Sequence, residues 1–168
     1  NNLVLMETFQ FRFHNQFQKI LSIIKNNEIG KLRSLKASFS FPPFRDKKNI
    51  RYKLDLGGGS LFDAGCYPIK IAQLILGEHL QVSSAALYQE KDSEVDIWGS
   101  TCLEDYKNKV SCFLTFGFDN YYQCNIEIIG QNGKLSTDRI FTAPKDHTPS
   151  LKLEIGKETK IFKIKPED

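Results

Sequence analysis

The sequence predicts an α+β domain, a largely antiparallel and open-faced sheet with helices on one face. Three observations support this fold class. Two segments with apolar residues at helical spacing lie in the first half of the chain. From residue 80 onward β-like runs follow one another, and pairs such as Asp119-Asn120 and Asn132-Gly133 between them are typical of hairpin turns. Helices that precede a run of antiparallel strands usually pack on one side of the sheet.

The first predicted elements are an extended segment and a helix. Residues 3–13 should be extended, because Phe9, Phe11 and Phe13 alternate with polar side chains. Apolar residues then recur at helical spacing. We expect Asn15 to be the N-cap of this helix, with Gln18 three residues on as in a capping box. A stretch with two asparagines and a glycine ends the helix.

A strand, a glycine-rich turn and a second helix come next. Residues 34–41 alternate strictly between polar and apolar side chains and are the clearest strand of the sequence. Residues 57–59 are all glycine. Residues 60–76 are apolar on nearly all sides, which is typical of a buried helix. Pro68 should interrupt the hydrogen bonding of this helix near Ala64.

The second half of the chain is predicted to be β-structure with one face left uncovered. Its strands are expected at residues 80–88, 94–104, 110–118, 121–130, 133–137, 150–155 and 159–164. Both faces of residues 110–118 carry apolar side chains, and two helices are too few to cover both faces of such a sheet. An uncovered face with apolar residues predicts a surface for a partner.

Composition excludes several classes of function. The net charge of +3 over 168 residues is too small for the basic stripe of a nucleic-acid-binding protein. No apolar run approaches the roughly 20 residues of a membrane-spanning helix, and no metal site is expected. The four cysteines stand at positions 66, 102, 112 and 124, none of them in a C-x-x-C pair, so free thiols and a cytoplasmic location are expected.

The residues best suited to chemistry follow the glycine triplet. Three successive glycines suit a backbone that turns sharply or approaches another molecule closely, although a flexible loop before a helix would also use them. Asp63 and Tyr67 are four residues apart, so both lie on one face of the predicted helix. A carboxylate beside a phenol on an apolar helix needs a partner or a function. The alternative is a solvent-facing polar stripe that Lys70 continues.

Several motifs, in their order along the chain, resemble one protein family. They are Met6-Glu7-x-Phe9, Phe11-Arg12-Phe13-His14, Ile29-Gly30-x-Leu32, Asn49-Ile50-Arg51, GGGSLFDAGCYPI from residue 57, and Gly130-x-Asn132-Gly133-Lys134-Leu135. These motifs resemble the C-terminal domain of the glucose–fructose oxidoreductase/inositol dehydrogenase (Gfo/Idh/MocA) family, and within it the dihydrodiol and sugar dehydrogenases. The resemblance covers about residues 3–137, and its most specific part is the glycine triplet with the D-x-G-x-Y pattern.

The resemblance implies one domain of a two-domain enzyme. In this family an N-terminal Rossmann domain binds NAD or NADP, and the C-terminal domain supplies the substrate pocket and often a dimer interface. Residues 1–168 would be that substrate-binding and oligomerisation domain, because they contain neither a G-x-G-x-x-G fingerprint nor an E-K-P segment. The implied partners are its own Rossmann domain, a second copy bound through the sheet, and a sugar, polyol or dihydrodiol substrate. Residues 1–168 alone should be inactive and should bind dinucleotide weakly.

The resemblance also assigns roles to individual residues. Tyr67 and Asp63 fall on the acid/base positions of the family, whereas Arg51 and Asn49 lie in the loop that borders the substrate pocket. Arg12 belongs to the segment near the junction of the two domains and is expected to contact substrate. A phenol can exchange a proton with a carbinol oxygen if a nearby cation lowers its pKa. The resemblance implies that this cation is the lysine of the E-K-P segment. Asp63 would orient the phenol or hold a substrate hydroxyl.

A function of another class stays open. The alternative is a non-catalytic assembly module that acts through its uncovered sheet face. The sequence upstream discriminates between the two hypotheses, because a dehydrogenase predicts a Rossmann pattern with an E-K-P segment there.

Overall fold

One eight-stranded sheet forms the frame of the protein. The computed structural model describes residues 3–46 and 48–166. The strands are β1 (Leu32–Ser40), β2 (Gln81–Gln89), β3 (Asp96–Asp105), β4 (Val110–Gly117), β5 (Gln123–Gly130), β6 (Gly133–Asp138), β7 (Ser150–Ile155) and β8 (Glu158–Lys163). Each begins and ends within two residues of its predicted position.

The strand order places the first strand in the middle of the sheet. The order is β2-β3-β4-β1-β5-β6-β7-β8. β1 runs parallel to β4 and antiparallel to β5, and the remaining neighbours are antiparallel hairpin partners. The central position of β1 buries Leu35, Ala37 and Phe39 in the core that the helices complete. The prediction of a largely antiparallel sheet is confirmed.

Two helices cover one face of this sheet. Their bounds are Asn15–Lys25 for α1 and Cys66–Leu76 for α2. α1 buries Phe17, Ile20 and Ile23 at helical spacing, and α2 buries Ile71 and Ala72. These side chains share one core cluster with the sheet, so the predicted placement of helices on one face is confirmed. Within residues 3–46 and 48–166, neither helix has the length and apolar character needed to cross a bilayer.

The two faces of the sheet differ in burial. On the covered face, β4 buries Leu114 and Phe116, which are at most 2% exposed. Phe113 points to the opposite side of the same strand and is 49% exposed. We call this second surface the open face. Tyr88 and Trp98, paired across β2 and β3, stack there with ring centroids 5.3 Å apart, so this part of the open face is apolar, as predicted.

The prediction of an extended first segment is wrong at its C-terminal end. Gln10–Phe13 forms a turn of 3-10 helix, and the described residues before it have no regular secondary structure. Phe11 packs edge-on against Phe17 and Phe141, with ring centroids 5.5 Å apart in both pairs. These two contacts bury Phe11 in the core and bend the chain at this point. The period-two pattern of the phenylalanines does not distinguish such a turn from a strand.

The prediction of Asn15 as N-cap is also wrong, by one residue. His14 is the N-cap of α1, and its Nδ1 accepts a hydrogen bond of 3.1 Å from the backbone N–H of Gln16. The amide of Gln18 donates to the carbonyl of Arg12 at 2.7 Å instead of closing a capping box. His14 therefore has a structural role at the start of α1.

Candidate active site

The glycine triplet leads into a helix whose first turn is irregular. Leu61–Gly65 forms a π-helical turn that continues directly into α2. The interruption predicted near Ala64 coincides with this turn, because Pro68 has no N–H to bond the carbonyl four residues earlier. π-Helical turns are frequent at functional sites. The turn carries Asp63, and Tyr67 follows in the first turn of α2.

Asp96, the first residue of β3, fixes the beginning of the irregular turn. Its Oδ2 accepts hydrogen bonds from the Ser60 hydroxyl at 2.6 Å and from the Leu61 backbone N–H at 2.7 Å. Ser60 is fully buried, so these donors need a partner within the protein. Asp96 was not among the predicted site residues, because 36 positions separate it from Ser60 and no local spacing connects them.

The glycine triplet packs against the chain's own backbone. The N–H groups of Gly58 and Gly59 donate to the carbonyls of Lys53 and Arg51, at 2.8 and 2.9 Å. A Cβ on Gly58 would lie 2.5 Å from the Arg51 carbonyl oxygen. The close approach predicted for the triplet is therefore made to the loop that carries Arg51.

Arg51 and Asp63 form an ion pair at the centre of the site. The Arg51 Nε lies 2.8 Å from Asp63 Oδ1, and the two side chains are 37% and 22% exposed. Asn49 Oδ1 accepts from the Arg51 backbone N–H at 3.1 Å and from its Nη1 at 3.4 Å. The guanidinium also lies 4.8 Å from the ring centroid of Phe44. The structure thus brings together three of the five predicted site residues and holds the guanidinium on three sides.

Tyr67 lies in a cage of aromatic rings. Its ring centroid is 5.0 Å from that of Phe39, 5.3 Å from Phe9, 5.9 Å from Phe141 and 6.3 Å from Phe11. Three of these contacts are edge-to-face, the arrangement that aromatic pairs favour. The side chain is half-buried. The cage therefore fixes the orientation of the phenol by packing, a role of the phenylalanines that their sequence pattern does not predict.

The surroundings of Tyr67 keep its phenol protonated. Burial is the largest cause that raises its pKa above the usual 10, and the charges of Asp63 and Glu7 act in the same direction. The charge of Arg51 lowers the pKa but does not outweigh them. The resemblance implied that a lysine of the Rossmann domain lowers this pKa. Among the described residues Arg51 acts in that direction, but the net pKa of Tyr67 is raised.

The neighbouring thiol does not compete for the chemistry. Burial, followed by the charges of Asp63 and Glu7, raises the pKa of Cys66 to about 11. The thiol therefore stays protonated near neutral pH, and the thiolate that would act as nucleophile or base is scarce.

Arg12 lies apart from this ion pair in the contacts that the described residues make. Its guanidinium carbon is 5.8 Å from the ring centroid of Phe13, and its carbonyl accepts from Gln18. The 3-10 turn of Gln10–Phe13 joins Arg12 to Phe11, one of the rings around Tyr67. Arg12 is thus a chain neighbour of one residue of the aromatic cage.

Comparison with known proteins identifies the family. The sequence model of the GFO/IDH/MocA C-terminal domain matches residues 17–136 of this chain. The chain belongs to the GFO/IDH/MocA family. The D-x-G-x-Y segment and Arg51, the ion-pair partner of its aspartate, lie inside the matched range.

Two curated proteins and one solved structure are similar to this chain over most of its length. A dTDP-3,4-didehydro-2,6-dideoxy-alpha-D-glucose 3-reductase from Streptomyces violaceoruber is 38% identical over 90% of this chain and 44% of its own length. A crystal structure of KijD10, a 3-ketoreductase from Actinomadura kijaniata in complex with NADP and TDP-benzene, superposes with a TM-score of 0.92 at 36% identity, over 98% of this chain and 50% of that one. A trans-1,2-dihydrobenzene-1,2-diol dehydrogenase from Xenopus laevis is 26% identical over 95% of this chain and 46% of its own length.

The chain spans about half the length of the curated relatives that it matches. It corresponds to the C-terminal domain of the GFO/IDH/MocA enzymes, as the sequence motifs predicted. The α+β fold is shared with the solved members at high TM-score.

Proposed function

We propose that this chain is the substrate domain of an NADP-dependent oxidoreductase that reduces a carbonyl of a nucleotide-linked sugar. The observation that carries the proposal is the half-buried phenol of Tyr67, which has a raised pKa and shares a helix face with a carboxylate held by Arg51. The relatives support the substrate class, because reductases of a dTDP-linked ketosugar match this chain at 37–38% identity. This class is narrower than the sugar, polyol or dihydrodiol expected from the motifs.

Tyr67 is proposed as the proton donor. Reduction of a ketone needs a proton at the oxygen while a hydride reaches the carbon, and bound NADPH would supply that hydride. The raised pKa keeps the Tyr67 phenol protonated at neutral pH, so it carries the proton that the carbonyl oxygen needs. The positive charge of Arg51 then stabilises the tyrosinate that remains.

Asp63 is proposed to position the sugar. Its Oδ1 is bonded to Arg51, and no described residue donates to its Oδ2. A sugar hydroxyl is a suitable donor to that oxygen. Asn49 acts on the same pair indirectly, because it holds the backbone and the guanidinium of Arg51.

The cofactor is assigned to another domain. The N–H groups of Gly58 and Gly59 are already bonded to carbonyls of the chain, so the glycine triplet offers no cradle for a diphosphate. We therefore propose that NADP is bound by a Rossmann domain of a longer protein, in keeping with relatives about twice the length of this chain.

The open face bears on the oligomeric state, and the cysteines bear on the cellular location. We propose that the protein forms a homo-oligomer through the open face, where Tyr88 and Phe113 are about half exposed. A cytoplasmic location is supported by the free thiols of all four cysteines. Neither nucleic acid nor a membrane has a part in this proposal.

The test is substrate turnover by the full-length protein. NADPH oxidation should be fast with a dTDP-linked 3-ketosugar and at least tenfold slower with the same sugar lacking the nucleotide. Turnover of a free sugar or a dihydrodiol, with none of the nucleotide-linked ketosugar, would contradict the proposed substrate class. Absence of any NADP-dependent turnover would favour the assembly module instead.

A further inference from the structure

A basic cleft opens beside the aromatic cage of Tyr67. It has a volume of about 860 Å³ and lies between the Gln10–Phe13 turn and the loop that follows β6. Arg139 and Lys145 line it together with His14, and no aspartate or glutamate within residues 3–46 and 48–166 does. Another cleft of the molecule, of about 550 Å³, is lined by one lysine, Lys53, and by the four acids Glu90, Asp92, Glu94 and Asp119. The first cleft therefore suits an anionic ligand, which the second would repel.

Arg139 is held ready for such a ligand. Its Nη1 donates to the Tyr122 hydroxyl at 2.8 Å, and its guanidinium carbon lies 4.3 Å from the centroid of the Tyr122 ring. Within residues 3–46 and 48–166 no carboxylate forms an ion pair with Arg139. The neutral side chain of Tyr122 therefore orients the guanidinium without neutralising its charge. Its backbone has a φ of 53°, a left-handed conformation that is uncommon without glycine and recurs at ligand sites.

An exposed aromatic ring lies in the same cleft. Phe13 lines it and is 66% exposed, although a phenylalanine side chain is normally buried. The guanidinium carbon of Arg12 lies 5.8 Å from the ring centroid and fixes that ring on one side. The cleft thus combines an exposed ring, which can stack on a base, with the guanidinium of Arg139, which can bind a phosphate.

The cleft shares a wall with the reactive phenol. Phe11 and Phe141 line it, and their ring centroids lie 6.3 and 5.9 Å from that of Tyr67. The cleft therefore adjoins the aromatic cage on the side of these two rings.

We propose that this cleft binds the nucleoside diphosphate of the sugar substrate, with the diphosphate on Arg139 and Lys145 and the base against Phe13. The inference rests on the proposed function, since it places the non-reacting part of a nucleotide-linked ketosugar. The shared chemistry is a diphosphate, which the cofactor also carries. The experiment therefore has to separate the nucleotide of the substrate from that of NADPH.

The test titrates the full-length protein with dTDP, inorganic pyrophosphate and NADPH by calorimetry. Arg139→Ala should raise the Kd of dTDP by roughly tenfold to a hundredfold, the worth of hydrogen bonds to a charged group. The Kd of pyrophosphate should rise with it, and that of NADPH should stay within twofold. The KM of the nucleotide-linked substrate should rise while kcat changes less than threefold. Arg139→Lys should recover part of the affinity.

A second variant and a control separate the parts of the site. Phe13→Leu should raise the Kd of dTDP about fivefold or more through lost stacking and leave pyrophosphate binding unchanged. It also keeps the test open if Arg139→Ala fails to fold, since Phe13 is mostly exposed. Arg33→Ala, which removes an exposed arginine of β1 outside the cleft, should change none of the three titrations.

Each other outcome overturns the proposal. Unchanged dTDP affinity in Arg139→Ala and Phe13→Leu rejects the nucleotide site but leaves the proposed reduction intact, provided the nucleotide-linked ketosugar is still turned over. Weakened NADPH with unchanged dTDP assigns the cleft to the cofactor. Wild-type protein that reduces a free ketosugar and does not bind dTDP rejects both the cleft and the proposed substrate class.

Discussion

The proposed proton transfer depends on one group, the hydroxyl of Tyr67. No described residue hydrogen-bonds it, so Tyr67→Phe in the full-length enzyme removes no structural bond and should leave Tm unchanged. We expect kcat to fall by about 10²–10⁴, the usual worth of a positioned acid or base. Steady-state turnover with the ketosugar measures this. Tyr106→Phe, which removes the hydroxyl of a tyrosine that is 63% exposed, is the matched control and should be neutral. Turnover of Tyr67→Phe within threefold of wild type would refute the role of proton donor.

The two charges beside Tyr67 should shift its titration in opposite directions. Reduction needs the protonated phenol, so kcat/KM should fall as the pH rises through the pKa of Tyr67. Asp63→Asn removes a charge that raises this pKa, and the alkaline limb should move to lower pH. Arg51→Met removes the charge that lowers it, and the limb should move to higher pH. Asp55→Asn, at an exposed carboxylate of the neighbouring turn, should leave it in place. Shifts in the same direction would show that another group controls the profile.

At the scale of elements, the glycine turn is predicted to be sensitive at one position and tolerant at the next. Gly58→Ala puts a Cβ 2.5 and 2.7 Å from the carbonyl oxygens of Arg51 and Lys53. The backbone has to move, which should cost about 1–3 kcal/mol of stability and displace Arg51. We expect a lower Tm and a lower kcat. Gly57→Asn is the control, because Gly57 has open space and a φ of 72°, which asparagine tolerates. Equal loss in both variants would mean that the turn acts through its flexibility.

Local pattern was sufficient to predict the strands but not the first turn of the chain. A period of two over residues 34–41 or 110–118 reports a sheet with one buried face, and the structure has strands at both places. The same period in Phe9, Phe11 and Phe13 arises from a 3-10 turn, because Phe11 is drawn between Phe17 and Phe141. The contact between Phe11 and Phe141 spans more than a hundred residues, and no local spacing encodes it.

The candidate site was predicted only in part, because some of its contacts also join residues that are distant in the sequence. Helical spacing placed Asp63 and Tyr67 on one face, and family resemblance pointed to Arg51 and Asn49, which the structure brings to Asp63. The hydrogen bonds from Ser60 and Leu61 to Asp96 join segments that are distant in the sequence, so no local pattern predicts them. The raised pKa of Tyr67 depends on burial, which only the three-dimensional cage supplies.

At the scale of the whole molecule, the open face is divided into two halves of different character. Across β1, β5, β6 and β7 it carries a ladder of ion pairs, with N–O distances of 2.8–3.6 Å. Its members are Lys36, Glu127, Lys134, Glu154 and Lys152. Across β2, β3 and β4 it carries the stacked Tyr88 and Trp98 and the half-exposed Phe113. Charges that are paired within one chain need no partner, whereas exposed aromatic rings gain by being covered.

The apolar half is therefore where we expect two copies to meet. A specific interface buries roughly 800 Å² on each partner. Phe113→Glu would place an unpaired carboxylate there, at a cost of about 1–3 kcal/mol or more. The dimer dissociation constant of the full-length protein should rise at least tenfold by analytical ultracentrifugation, with the fold unchanged, because Phe113 is 49% exposed and faces away from the core. Tyr121→Glu changes an aromatic residue that is 89% exposed in the turn before β5, and should leave association unaltered. A wild-type protein that is monomeric at high micromolar concentration, or a Phe113→Glu variant that associates as the wild type does, would place the contact elsewhere.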